Sequence, residues 1–187
     1  MLISLILLAI LIFSIILTLT MLTNAFSGVP FVPSPNRTTP HLLKAAQLKA
    51  GETFFDLGCG DGRLIFAGMK QTPKTRGIGV ENSLLPYLIA RIKKFFNKSK
   101  GEIRLTNIFR TSIKEASVIF CYLMPGTMNK LREKFLEELP KGARIISLAF
   151  QIENWEPTKI FPKDKEKKIS AIYVYNIDEI RKKIVNC

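Results

Sequence analysis

Apolar residues fill the first 26 positions almost without interruption, broken only by Ser4, Ser14, Thr18, Thr20, Thr23 and Asn24. Small hydroxylated side chains return a hydrogen bond to a carbonyl one turn back, so they are compatible with a helix in hydrocarbon. At a rise of about 1.5 Å per residue such a run exceeds the roughly 30 Å of a bilayer core, and residues 1–26 are expected to form one N-terminal transmembrane helix. The competing reading is a cleaved signal peptide, for which Thr23-Asn24-Ala25 offers small residues. Against it, no Lys or Arg precedes the apolar run, which also outlasts the usual signal.

The pattern then changes. Residues 27–37 contain Pro30, Pro33 and Pro35, which forbid helix and favour an extended course, so this stretch reads as a linker. Thr39-Pro40 resembles an N-cap followed by Pro in the first turn, and Leu42, Leu43, Ala46 and Leu48 fit a short amphipathic helix closed by Gly51. Beyond it, strand and helix periods alternate: strands over 53–57, 76–81, 102–106, 117–123 and 144–149, helices over 63–70, 84–96 and 127–139. In the helix over 84–96, Leu85, Leu88, Ile89, Ile92 and Phe96 share one face. The tail supplies strands over 159–161 and 169–177 across a charged turn, which reads as a hairpin. The expected fold is therefore α/β, a Rossmann-like parallel sheet with an antiparallel finish. Its divisions are 1–26, 27–37 and 38–187.

Charge sharpens this division. Against 15 Asp+Glu the chain carries 28 Lys+Arg, a net +13, and no charged residue precedes Arg37, so the whole excess belongs to the domain. Positive flanks stay inside, which places the domain on the cytoplasmic side of a single-pass protein. A length of 187 residues allows one ordinary core and excludes a multi-domain machine. The three cysteines, Cys59, Cys121 and Cys187, have no framework spacing and read as reduced thiols; with His41 the only His, no metal site and no Cys/His nucleophile pair is expected. The densest basic stretch, residues 91–100, suits RNA or anionic head groups, but the preferred reading is a solvated helix end whose Phe96 continues the apolar face.

One segment carries chemistry. Asp56-Leu57-Gly58-Cys59-Gly60-Asp61-Gly62-Arg63 sets an acid at a strand's end, then three glycines at alternate positions, then a helix. Glycine lets the backbone turn sharply and approach a ligand closely. The spacing is Gly-x-Gly-x-Gly and not the Gly-x-Gly-x-x-Gly of a pyrophosphate site, and the acids Asp56 and Asp61 repel phosphate and welcome a cation. Glu81, ending the next strand about 20 residues on, suits a bidentate hold on ribose hydroxyls.

The loop and the acid together resemble the motifs of the seven-strand S-adenosylmethionine-dependent methyltransferases. With Pro30 to Pro35 ahead of the first domain helix and Leu139-Pro140-Lys141-Gly142-Ala143-Arg144 before a late strand, the chain looks like the small, membrane-tethered protein-lysine methyltransferases related to the ATP synthase c-subunit lysine methyltransferase. That resemblance covers roughly residues 30–150. It implies S-adenosyl-L-methionine as cofactor, with Asp56, Gly58, Gly60 and Gly62 at its methionine part, Glu81 at the ribose, Asn107 accepting from the adenine amino group, and Asp61 also among the cofactor-binding residues. It also implies that 31–35 forms a lid, with Phe31, Pro33 and Tyr122 along a substrate channel; for Tyr122 ordinary core packing is the alternative. The segment Cys121-Tyr122-Leu123-Met124-Pro125 lacks the Asn-Pro-Pro-Tyr signature of base methylation, so nucleic acid is not the expected partner. A protein lysine near the membrane is, with a lipid or small amphiphile, or cofactor binding without turnover, as alternatives.

Overall fold

The computed structural model describes residues 2–27 and 35–185, with the α1 side chains described at 2–18 and at Met21. Helix α1 (Leu2–Ser27) precedes one turn of 3-10 helix (Asn36–Thr38) and α2 (Thr39–Ala46). There follow β1 (Thr53–Leu57), α3 (Arg63–Gln71), β2 (Arg76–Glu81), α4 (Leu84–Phe96), β3 (Glu102–Leu105), β4 (Val118–Cys121) and α5 (Pro125–Glu138). The chain closes with β5 (Arg144–Leu148), β6 (Lys159–Phe161), β7 (Ile172–Asn176) and α6 (Ile177–Val185).

All seven strands join one sheet in the order β3-β2-β1-β4-β5-β7-β6. The first five are parallel, and β7 runs antiparallel to both β5 and β6. The expected mixed sheet is the one observed. Its order reverses between β1 and β4, which opens a crevice at their carboxyl ends. Strand alternation sends neighbouring side chains to opposite faces. Phe54 therefore packs with α2 and α3 on one face, and Phe55 with Met128, Leu131 and Phe135 of α5 on the other. Arg144 Nη2 donates to both Glu52 oxygens, at 2.9 and 3.0 Å, and its Nε donates to the Ala46 carbonyl, which holds the end of α2 against β5.

Several expectations change. Helix α2 ends at Ala46 because Gln47 itself turns left-handed (φ 48°), and Gly51 (φ 88°) serves the following turn. Its N-cap is Thr38, one residue earlier than expected, and that side chain makes no capping bond. The last strand begins at Ile172, since Ile169 makes only an isolated bridge to Asp164. Helix α6 was not expected; Asp178 and Glu179 in its first turn and Lys182 and Lys183 in its last complement its dipole.

The largest correction concerns α4. Pro86 and Ala90 are its buried residues, while Ile89, Ile92, Phe95 and Phe96 are exposed. The C-terminal part of the shared apolar face therefore points away from the sheet, whereas Leu85 and Leu88 are half-buried, and Phe96 does not continue a core-facing stripe.

Among the described residues no helix is long and apolar enough to cross a membrane, so the span expected of 1–26 is not established by the fold.

Candidate functional site

The loop after β1 lies at the carboxyl edge, beside the point where strand order reverses. Gly58, Gly60 and Gly62 all adopt positive φ (83°, 55° and 76°), which side chains other than glycine's rarely tolerate. The Val80 carbonyl accepts from the N–H groups of Gly58 and Cys59 at 2.8 and 3.0 Å, which fastens the loop to β2. Gly62 caps α3, and a Cβ there would lie 2.8 Å from the Phe66 ring. The result is a bare backbone cradle.

Three acids surround it, in different states. Glu81 is 5% exposed, and its two oxygens accept from the N–H groups of Gly60 (2.9 Å) and Ser83 (2.8 Å). It therefore ties the cradle to the start of α4. Asp61 pairs with Arg63 at 2.8 Å and with Lys93 of α4. Burial alone would raise its carboxyl, but the Arg63 and Lys93 hydrogen bonds prevail and hold it at about 2. Its charge is thus matched by cations of this chain. Asp56 differs: it is 9% exposed, and burial, then the charges of Glu81 and Asp61, push its carboxyl up to about 7. A buried acid in that state lacks a nearby cation, and a ligand carrying positive charge would supply one.

Asn107, following β3, accepts from the Phe109 N–H at 2.9 Å through its side-chain oxygen. A carbonyl oxygen has two lone pairs, so one remains for an amino group. Tyr122 stands just past β4, level with Gly58 across the crevice, since Leu57 pairs with Cys121. It stacks on Phe150, with centroids 6.5 Å apart and planes 14° from parallel. Phe150 was missed in the sequence, where nothing marks it as the partner of a ring 28 positions away. Its backbone is bent by Ala149, which holds an uncommon φ of 69°, and by the Ser147 hydroxyl donating to the Phe150 carbonyl at 2.6 Å.

Phe31 and Pro33 lie outside the described residues. The chain that follows them is pinned beside the cradle, because Arg63 donates to the Asn36 side chain and Arg37 donates to the Lys168 carbonyl at 3.2 Å. Cys59 and Cys121 are buried, and burial followed by the nearby carboxylates pushes both thiols well above their usual range, so neither is a thiolate nucleophile. Among the described residues no cluster of His, Cys, Asp or Glu is placed to hold a metal.

The residues present fit S-adenosylmethionine. Its sulfonium and ammonium match the uncompensated Asp56, its ribose hydroxyls match the carboxylate of Glu81, and its backbone-close part needs the three glycines of the cradle.

Comparison with known proteins agrees with this fit. Residues 56–159 match the ANTKMT methyltransferase domain. A protein-lysine N-methyltransferase of Saccharolobus islandicus is 30% identical over 153 residues, covering 81% of this chain and 95% of its own. The lysine N-methyltransferase of the ATP synthase c-subunit from Xenopus laevis is 24% identical over 82% of this chain, which spans 66% of that protein's length. An RNA methyltransferase of Salinibacter ruber, solved with S-adenosyl-L-homocysteine, superposes at a TM-score of 0.72 with 28% identity, over 78% of this chain and 94% of that one. The acidic, Cβ-free cradle and these matches together place the chain in the ANTKMT methyltransferase-domain family, as a methyltransferase that uses S-adenosylmethionine.

Proposed function

We propose that this protein methylates the ε-amino group of lysine in proteins close to a membrane. The observation that carries the reading is the stacked pair Tyr122 and Phe150 at the ends of β4 and β5, beside the cradle. S-adenosylmethionine, when bound, supplies an electrophilic methyl group on a sulfonium. The chain's own residues then have three tasks. Asp56 balances the donor's positive charge, Glu81 fixes the ribose end, and the aromatic pair offers an apolar approach. In such surroundings a lysine ammonium loses its proton to water more readily, because burial disfavours charge. The neutral nitrogen would then be the nucleophile toward the methyl group the cofactor would supply, and the ring faces would hold the methylated ammonium. Alignment and exclusion of water do most of the work, so no general base is required. The Saccharolobus and Xenopus relatives, both lysine methyltransferases by name, support this substrate class.

Anchoring by residues 1–26, with the domain on the cytoplasmic side, is part of the proposal. It is supported by the absence of charge before Arg37, by the basic flank that follows, and by the exposed apolar side chains of α1.

Membranes containing the full chain, incubated with methyl-tritiated S-adenosylmethionine, test the substrate. Label is expected in a protein band, released as methyl-lysine on hydrolysis and reduced at least a hundredfold with Glu81→Ala. Label confined to the lipid extract, or to RNA as the name of the Salinibacter structure suggests, would overturn the lysine reading.

The cradle itself is tested from behind. A Cβ at Gly79, midway along β2, would sit 2.6 Å from the Cys59 sulfur and 2.9 Å from its Cβ, so the loop must move. Gly79→Ala should cost about 1–3 kcal/mol of stability and weaken cofactor binding about tenfold. Adding Cys59→Ala removes the closer clash and should restore part of both. Titration calorimetry showing unchanged affinity in Gly79→Ala would mean the loop is not held as described.

A further inference from the structure

We propose that α4 docks, by its exposed C-terminal half, on the surface of an anionic lipid bilayer. This extends the anchoring reading to a second element of the fold. The helix has two apolar faces. Small residues, Pro86 and Ala90, pack inward, whereas Ile89, Ile92, Phe95 and Phe96 face outward, with Phe95 78% and Phe96 77% exposed. Two adjacent phenylalanines at that exposure are an unusual surface for a protein in water. Their rings contact each other edge to face, so together they form one apolar knob at the helix end.

Cations border this knob. Arg91, Lys94, Lys98 and Lys100 lie within the same segment, and no Asp or Glu occurs between Asn82 and Gly101. Next to the helix end a cleft of about 790 Å³ is lined by Lys70 and Lys74 together with Lys100. An outward aliphatic and aromatic face rimmed by lysines is the pattern of a helix lying in a bilayer interface, with rings among acyl chains and ammonium groups at phosphates. Continuity points the same way. Helix α1 packs against α4, and Ile16 is partly covered while the other described α1 side chains, apolar except for Ser4, Ser14 and Thr18, stay exposed. Exposed apolar side chains are therefore found on two neighbouring helices.

Other occupants fit less well. Ile89 and Ile92 offer no planes for bases to stack on, which disfavours RNA. A second copy would bring two lysine-rimmed faces of a +13 chain together.

The test uses the full chain with Phe95→Trp, mixed with phosphatidylcholine vesicles with and without 30% phosphatidylglycerol. Trp155 is buried and gives a constant background. In anionic vesicles the new tryptophan should shift to the blue, lose at least half its emission to lipids brominated near the head group, and gain protection from iodide. Lys94→Glu/Lys98→Glu/Lys100→Glu should reduce that quenching several-fold. Flotation separates the two readings. Flotation with neutral vesicles and no quenching in anionic ones leaves the α1 anchor standing and overturns α4 docking. Flotation and quenching only with anionic vesicles overturn the anchor and support α4. A tryptophan that stays open to iodide with lipid, but is shielded by RNA or by raising protein concentration, overturns the proposal.

Discussion

Replacing Asp56 with Asn is expected to stabilise the ligand-free protein at pH 8 while weakening its binding of S-adenosylmethionine about a hundredfold. The buried carboxyl, ordinarily near 3.8, is raised to about 7 by burial and then by its acidic neighbours. Between those values the folded chain binds a proton that the unfolded chain has released. Stability contributed by this group is therefore full below pH 4 and is lost as pH rises to about 7. Three pKa units correspond to roughly 4 kcal/mol, and Asn, which has no charge to bury, escapes that loss. At this chain length each kcal/mol moves Tm by about 2–4 °C. Thermal melts of both proteins from pH 4 to 8 should converge at the acid end and separate at the alkaline end. Asp61, held near 2, contributes in the opposite sense, but only below pH 4, and in both proteins. Calorimetry should show cofactor affinity lower by about a hundredfold in Asp56→Asn, the loss of one charge-assisted contact. A variant that melts lower at pH 8 and binds normally would remove Asp56 from the site.

The trade implied by that residue also explains what the sequence reveals. The sheet is readable because its strands are short apolar runs separated by amphipathic helices, and the loop because three alternate glycines behind an acid have few other uses. What could not be read depends on distance or on competition between neighbours. Asp61 meets Lys93 across 32 positions, so a carboxylate counted toward the ligand is already neutralised by its own chain. Phe150 reaches Tyr122 only through the strained turn at Ala149. Helix α4 is apolar on two sides, and the small residues face the sheet, where space is short, leaving the large ones outside. Periodicity locates a stripe without stating what lies against it. Helix α6 was hidden because β7 runs into it without a breaker.

Glu81 should show how far the acids act as one unit. In Glu81→Ala the Gly60 and Ser83 N–H groups lose their acceptors inside the fold, at about 1–3 kcal/mol each, and the cradle loses its tie to α4. Cofactor binding should disappear and Tm should fall by many degrees, which makes this variant the more damaging one. Glu81→Gln separates the two causes. Its amide keeps one accepting oxygen, turns a donor toward the other N–H, and removes the charge that ranks after burial in raising Asp56. The pH at which the decline in ligand-free stability ends should therefore move below 7 in Glu81→Gln, even though the affinity for S-adenosylmethionine falls at least tenfold. Melts at half-unit pH steps and calorimetry on the same samples measure both. A decline that still ends near 7 would show that Glu81 does not raise Asp56, and an unchanged affinity would release Glu81 from the ribose. If both shift as expected, the site keeps two carboxylates under mutual strain until a cationic ligand relieves it, so part of the binding energy is stored in the fold as repulsion.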